Sequence, residues 1–307
     1  MAAFVSPSSP STPGRPEVSI VLATLNEHAN LPVLIESIHS QPLPTHEIVV
    51  VDDGSTDGTR ELLSQLSLRD SSVRPIFNDR AQTLTPAQCQ GIAATRGEFV
   101  VIMDSDLQHP PKAIPDLVRK LEQGNDLVVA TRYGVGASVG SRAYNRAIIS
   151  RCAEILAKLL VPGARRTSDP ISGFFAFRRD AYRPVNPKYR GYKLVLFLLS
   201  ECRTKRVSEV SYHFCSRTNG SSKITRNWGF VKVFLIEAIL ARRDQNHAGP
   251  RSIPSTAAED SLAGDAVRLR PVTVVSPASV LRMPEPSQTS VLPEARAEKQ
   301  AARSVSR

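Results

Sequence analysis

The chain has 307 residues and a formal net charge of +10, long enough for one large domain with appendages. Its charge is uneven. Residues 1–140 carry 10 Lys/Arg against 16 Asp/Glu while residues 141–243 carry 21 against 6, so the basic character sits in the middle of the chain and suits an anionic partner: phosphate groups, an anionic membrane surface or nucleic acid. The four cysteines (Cys89, Cys152, Cys202, Cys215) form no CxxC pair and no zinc-ligand spacing, and no apolar run reaches the roughly 18 residues of a membrane-spanning helix; disulfide-framework, zinc-module and transmembrane readings are excluded.

Residues 1–16, rich in Pro and Ser, are expected to form a disordered leader rather than a signal peptide. Residues 18–23 are predicted as a first strand. A polar turn, Thr24-Leu-Asn-Glu27, then leads into a helix with Leu31, Leu34, Ile35 and Ile38 at helical spacing. Residues 47–51 read as a second strand ending at Asp52-Asp-Gly-Ser-Thr-Asp57. Asp57 fits a helix cap, and the helix beyond it carries Leu62, Leu63 and Leu66 on one face. Residues 73–77 form a weaker strand. Thr85-Pro86 is predicted to open a helix, with the hydroxyl capping it and proline at its first position. Next come a strand over 98–103, a helix through Ile114, Leu117, Val118 and Leu121 that Gly124 stops, and a strand over 126–131. Strand and helix alternating at short intervals predict an α/β fold, a mostly parallel central sheet with helices on both faces.

Further on the regularity relaxes. A helix is predicted over about 143–160, a loop over 165–172, a strand over 173–177 and a late strand over 209–214; residues 192–199 fit either a helix or a strand. A polar loop spans 215–227. Residues 228–241 are predicted as an amphipathic helix with Trp228, Val231, Phe234, Leu235 and Ala238 on one face and Arg242-Arg243 after its end. The span 228–243 fits a helix lying in a membrane interface or one packed on the sheet. Residues 244–307 lack periodicity and are expected to be a disordered tail, which leaves 17–227 as the folded domain.

The strand over 98–103 runs straight into Asp104-Ser-Asp-Leu-Gln-His-Pro-Pro111. Ligands of open α/β sheets sit beyond the carboxyl ends of the strands. Two carboxylates held there with one small residue between them repel each other unless a cation lies near. A divalent metal carrying a diphosphate suits them, because hard Mg²⁺ or Mn²⁺ takes carboxylate and phosphate oxygens together. Taken alone, Asp-x-Asp also fits a solvated acidic turn.

Six segments in order carry a resemblance: Thr24-Leu-Asn-Glu27, Val51-Asp-Asp-Gly-Ser-Thr-Asp-Gly-Thr59, Asp104 to Pro111, Thr131-Arg-Tyr133, Ser168-Asp-Pro-Ile-Ser-Gly-Phe-Phe175 and Arg217-Thr-Asn-Gly-Ser-Ser-Lys-Ile224. From about residue 18 to 243 the chain resembles family 2 glycosyltransferases of the GT-A fold, and within them the dolichol-phosphate mannosyltransferase group. The resemblance implies that Asp104 and Asp106 bind Mg²⁺ or Mn²⁺, with Gln108 beside them. It implies that Thr24, Asn26, Glu27, Asp52 and Asp53 hold the nucleotide sugar. Arg132, Arg146, Arg217 and Lys223 match the basic residues around the donor diphosphate and the lipid phosphate. The chain departs from the group's pattern where Ala23-Thr24-Leu25-Asn26 replaces Pro-Thr-Tyr-Asn, and where Thr83-Leu-Thr-Pro86 replaces a glycine-led turn.

The implied reaction moves a hexose from a nucleotide donor, foremost mannose from GDP-mannose, onto a polyprenyl or dolichyl phosphate with inversion. A phosphomonoester is already anionic at neutral pH, its second pKa being about 6, so no catalytic base is nominated. The implied setting is the cytoplasmic face of a membrane, held peripherally or through a membrane-anchoring partner protein, with no nucleic acid. Three alternatives stay open: the same chemistry with UDP-glucose or another sugar, transfer to a glycan hydroxyl with the Ser168-Asp169 pair supplying the base, or a non-catalytic basic protein that binds membrane or nucleic acid.

Overall fold

The computed structural model describes residues 15–133, 138–139, 144–181, 194–201 and 206–215. Among the described residues nine strands fall in chain order: β1 (Val18–Thr24), β2 (His46–Asp52), β3 (Val73–Phe77), β4 (Phe99–Asp104), β5 (Leu127–Thr131), β6 (Ser138–Val139), β7 (Phe175–Arg178), β8 (Val207–Ser211) and β9 (His213–Phe214). Six α-helices accompany them among the described residues: α1 (Leu31–His39), α2 (Thr59–Arg69), α3 (Leu84–Ala94), α4 (Ile114–Glu122), α5 (Tyr144–Leu160) and α6 (Leu194–Glu201).

Seven strands make one sheet in the order β3-β2-β1-β4-β7-β5-β8, with only β7 antiparallel to its neighbours. Period-two alternation distributes its side chains to two cores. Val18, Ile20, Leu22, Val101 and Met103 pack with α1 and α4 on one face, while Val21, Val49, Val100 and Ile102 pack with α3 and α6 on the other. The predicted doubly covered, mostly parallel sheet is therefore present.

Differences from the sequence-based expectations are local. Helix α3 begins at Leu84, one residue before Thr85, and no side chain caps it; the Thr85 hydroxyl is buried without a hydrogen bond. The late strand divides in two. Tyr212 turns inward between β8 and β9, its N–H donating to Thr131 O at 3.1 Å, and β9 pairs in parallel with β6 in a separate two-stranded sheet. Residues 194–201 are helical, which settles the helix-or-strand ambiguity. Among the described residues no helix is long and apolar enough to cross a membrane. The leader up to residue 14, the predicted helix at 228–243 and the tail at 244–307 lie outside the described residues.

One buried carboxylate ties the amino-terminal edge of the sheet. Glu47, at the second position of β2, is 4% exposed and accepts hydrogen bonds from Ser19 Oγ (2.7 Å), Arg74 Nη1 (2.6 Å) and the Arg96 N–H (2.6 Å). Burial alone would raise its pKa, but these donors outweigh that and hold the carboxyl below its ordinary value. A depressed native pKa adds stability above the unfolded value near 4.5, and that stability is lost as pH falls below it. Glu47→Gln is expected to lower stability by about 1–3 kcal/mol at pH 7. The gap to wild type should narrow in urea titrations run at progressively lower pH; a gap independent of pH would contradict the assignment.

Candidate active site

The strand register gathers the acidic residues at one edge. Thr24 lies opposite Asp52 in the β1–β2 pair, and Ala23 opposite Asp104 in the β1–β4 pair. Three parallel strands thus end together. The chain runs outward from β1 through β2 to β3 and returns to β4 on the other side of β1, so the strand order reverses between β1 and β4. Crevices at such switch points are where open α/β sheets bind ligands.

The loops after β1 and β2 are stitched together. Asn26, at φ 52°, donates its N–H to Ser55 Oγ and accepts the Thr56 N–H on Oδ1, both at 2.8 Å. The Glu27 N–H donates to Thr59 Oγ1 at 3.1 Å, and the Glu27 carboxylate accepts from Asn30 Nδ2 at 2.6 Å. The cap expected at Asp57 is displaced by one residue: the N-cap of α2 is Gly58, at φ 88° and without a side-chain cap, while Asp57 takes the Thr59 N–H (3.1 Å) and the His28 N–H (3.2 Å). Those hydrogen bonds outweigh the effect of burial and lower its pKa.

Asp52 and Asp53 face different surroundings. Asp53 accepts the Gln82 N–H with both oxygens (3.0 Å each) and Asn78 Nδ2 with one (3.1 Å), which ties the loop before α3; burial pushes its carboxyl up. Asp52 is fully buried. One of its oxygens accepts the Ser55 N–H at 3.3 Å; the other has no hydrogen bond and lies 3.7 Å from Arg60 Nε. The buried Thr24 hydroxyl, in register with Asp52, also lacks a hydrogen bond. Leaving such groups unmatched costs about 1–3 kcal/mol each.

Asp104 ends β4 with its side chain 37% exposed at the switch point, whereas Asp106 is 7% exposed and accepts the Gln108 N–H at 3.1 Å. Between them and Gln108, Leu107 sits at φ 62°, a left-handed conformation uncommon outside glycine and asparagine. Gln108 is joined to the end of β9: its carbonyl accepts the Cys215 N–H (3.1 Å), and its Nε2 donates to Cys215 O (3.3 Å). Among the described residues no group of three or more His, Cys, Asp or Glu is arranged to hold a metal alone. Two carboxylates with an incomplete donor set fit a cation that completes its shell with ligand phosphates, as Mg²⁺ characteristically does.

Arg132, just beyond β5, is committed elsewhere. Its Nε and Nη2 each lie 2.7 Å from an oxygen of Asp169, a bidentate fork, and Glu154 Oε1 is 3.9 Å away. Burial would lower the guanidinium pKa, but the Asp169 hydrogen bonds and charge outweigh it and raise the value. Tyr133 donates its hydroxyl to Glu154, and burial together with that bond pushes the phenol to about 12. Asp169 is fully buried with both oxygens on Arg132, an arrangement that removes it as a free general base and with it the support for the glycan-hydroxyl alternative. The same loop passes behind Asp104: a Cβ placed on Gly173 would stand 3.0 Å from Asp104 Oδ2.

The structure therefore brings Thr24, Asp52 and Asp104 to one edge, with Asn26, Glu27, Asp53, Asp106 and Gln108 in the loops that shape it. Arg146 lies in the part of α5, residues 144–150, where only the backbone is described, and Arg217 and Lys223 lie outside the described residues. Sequence reasoning missed the partners of Arg132. Glu154 and Asp169 are two of only six acidic residues in 141–243, a scarcity that marks them as paired.

A mostly parallel sheet in this order, with an Asp-x-Asp pair at the strand-order reversal, defines the GT-A, Rossmann-like class of fold. The chain belongs to glycosyl transferase family 2, whose model matches residues 19–185. It is 35% identical over 210 residues to the dolichol-phosphate mannosyltransferase of Pyrococcus furiosus, covering 68% of this chain but only 59% of that protein. It is 34% identical to the enzyme of the same name from Mycosarcoma maydis (70% of this chain, 76% of that one) and 31% identical to that from Saccharomyces cerevisiae (68% and 81%). Among solved structures it is similar in fold to glucosyl-3-phosphoglycerate synthase from Mycobacterium tuberculosis in complex with Mn²⁺, UDP and glucosyl-3-phosphoglycerate. That similarity has a TM-score of 0.54 at 24% identity and covers 76% of this chain and 80% of that one.

Proposed function

We propose that the protein transfers a hexose from a nucleotide sugar to a polyprenyl phosphate with inversion, with GDP-mannose as donor. The observation that carries this reading is the Asp104 carboxylate at the switch point of a chain about one-third identical to three dolichol-phosphate mannosyltransferases. Mg²⁺ or Mn²⁺ held by Asp104 and Asp106 would stabilise the departing diphosphate. Thr24 and Asp52 offer the unmatched polar atoms that suit the nucleoside.

The acceptor phosphate oxygen attacks the anomeric carbon as the bond from that carbon to the nucleotide breaks. It needs no deprotonation, in keeping with Asp169 being occupied by Arg132. Two phosphates at 4 Å repel by about 1 kcal/mol per pair of unit charges in water and more when dehydrated. Arg146, Arg217 and Lys223, together with the wider basic segment 141–243, supply the countercharge. Contact with the lipid is peripheral, through 228–243 or a membrane-anchoring partner, at the cytoplasmic face.

The test is incubation of the full chain with labelled GDP-mannose or UDP-glucose, dolichyl phosphate, and Mn²⁺, Mg²⁺ or EDTA. Label from GDP-mannose is expected in the organic phase with either metal and not with EDTA. Transfer from UDP-glucose alone would replace the donor assignment, and no transfer from either donor would overturn the reading.

A further inference from the structure

His109 lies five residues beyond Asp104 in the same acidic loop, and neither composition nor the family resemblance gives it a role. It is 3% exposed. Its ring stacks on Phe174 at 5.2 Å and 21°, and meets the edges of Tyr212 (5.9 Å, 77°) and Phe214 (5.9 Å, 69°). Three aromatic partners fix the plane of the imidazole, which leaves its nitrogens little freedom.

The Asp104 N–H points at His109 Nδ1 at 3.0 Å. A backbone N–H can only donate, so Nδ1 must be the accepting, unprotonated nitrogen. The approach of the same nitrogen to Asp104 Oδ2 at 3.8 Å is then not an ion pair, because no proton stands on Nδ1 to be shared. What His109 holds is the peptide plane at the last residue of β4, from which the Asp104 carboxylate projects.

Gly173 closes on both the carboxylate and the ring. A Cβ there would lie 3.0 Å from Asp104 Oδ2, 3.2 Å from His109 Cε1 and 3.4 Å from Asp104 Oδ1. Any larger residue displaces the carboxylate, the ring or both. Asp104 is thus constrained by an acceptor that fixes its backbone and by a bare glycine close to its carboxylate, whose loop is anchored by the Arg132–Asp169 fork.

We infer that His109 and Gly173 are positioning residues that set the direction of the Asp104 carboxylate towards the divalent cation, His109 through hydrogen-bond acceptance at Nδ1 and Gly173 through close approach. This deepens the proposed function and rests on Asp104 serving as a metal ligand. It has a physical precedent in the outer partners of metal ligands, whose loss typically weakens metal binding by about 10- to 100-fold.

The experiment titrates the full-length protein with MnCl₂ in the presence of GDP, reading free Mn²⁺ by electron paramagnetic resonance and Tm in parallel. His109→Phe keeps the aromatic packing and removes the acceptor; its Mn²⁺ affinity is expected to fall by about tenfold or more. His109→Asn restores an oxygen where Nδ1 stood and is expected to recover most of that loss despite losing the ring stack, so a lower Tm accompanies better metal binding. Gly173→Ala is expected to weaken Mn²⁺ binding by a similar factor while GDP binding without metal is unchanged. Equal Mn²⁺ affinity in wild type, His109→Phe and Gly173→Ala overturns the inference, as does affinity that follows Tm across the variants, the mark of a packing role alone. Should wild type itself show no GDP-dependent Mn²⁺ binding, the metal reading fails first, a result distinguishable from the other two.

Discussion

Asp104→Ala is expected to reduce sugar transfer by about a thousandfold with little change in stability. The carboxylate is 37% exposed at the strand end and packs no core, so its truncation leaves both faces of the sheet intact. Under the proposed function it removes one of the two carboxylates that would hold the cation at the leaving diphosphate. Metal stabilisation of such charge is worth several kcal/mol, and each 1.36 kcal/mol is a factor of about ten in rate. Asp106→Asn should act in the same direction while preserving the turn, since the amide oxygen can still accept the Gln108 N–H. Initial rates at saturating donor and Mn²⁺, beside thermal melts, check both. Rates within tenfold of wild type would remove these carboxylates from the reaction.

Asp169→Ala is expected to destabilise the fold by about 3–5 kcal/mol, the usual cost of removing one member of a buried ion pair. The Arg132 side chain is 10% exposed and, among the described residues, would keep only Glu154 at 3.9 Å as a countercharge. The pair also joins the end of β5 to the loop carrying Gly173, so the damage should reach the acidic pair. Urea denaturation measures the loss. Combining Asp169→Ala with Arg132→Met should restore part of it, because no unpaired charge then remains buried. An Asp169→Asn variant of native stability but no turnover would instead point to a base and revive transfer to a hydroxyl acceptor.

How far the sequence could be read depended on what each segment faces. Strands buried on both sides, such as residues 18–24 and 99–104, announce themselves as apolar runs between turn residues. Helix α4 is legible because one face is buried and the other wet, which imprints a 3.6-residue period. Helix α6 has no such imprint. Residues 194–199 are all at most 3% exposed, enclosed by the sheet on one side and the segment around Ala157 and Ala164 on the other, so the pattern is uniformly apolar and strand or helix fits equally. The cap predicted at Thr85 failed for a different reason: the loop before α3 is positioned by Asp53 through the Gln82 N–H, a contact 29 residues away that no local pattern contains.

The amino-acid sequence alone determined the alternation of strands and helices, the mostly parallel sheet and the acidic pair at the end of its central strand, because hydrophobic period and turn chemistry are local properties. The tertiary structure decided which side chains are already occupied. It inserted β7 antiparallel between β4 and β5, closed Arg132 onto Asp169, and brought His109 and Gly173 together against Asp104. Those pairings join residues separated by 37 to 69 positions or depend on a ring wedged among three distant aromatics. They are fixed by the register of strands and the packing of loops, and those exist only once the chain has folded.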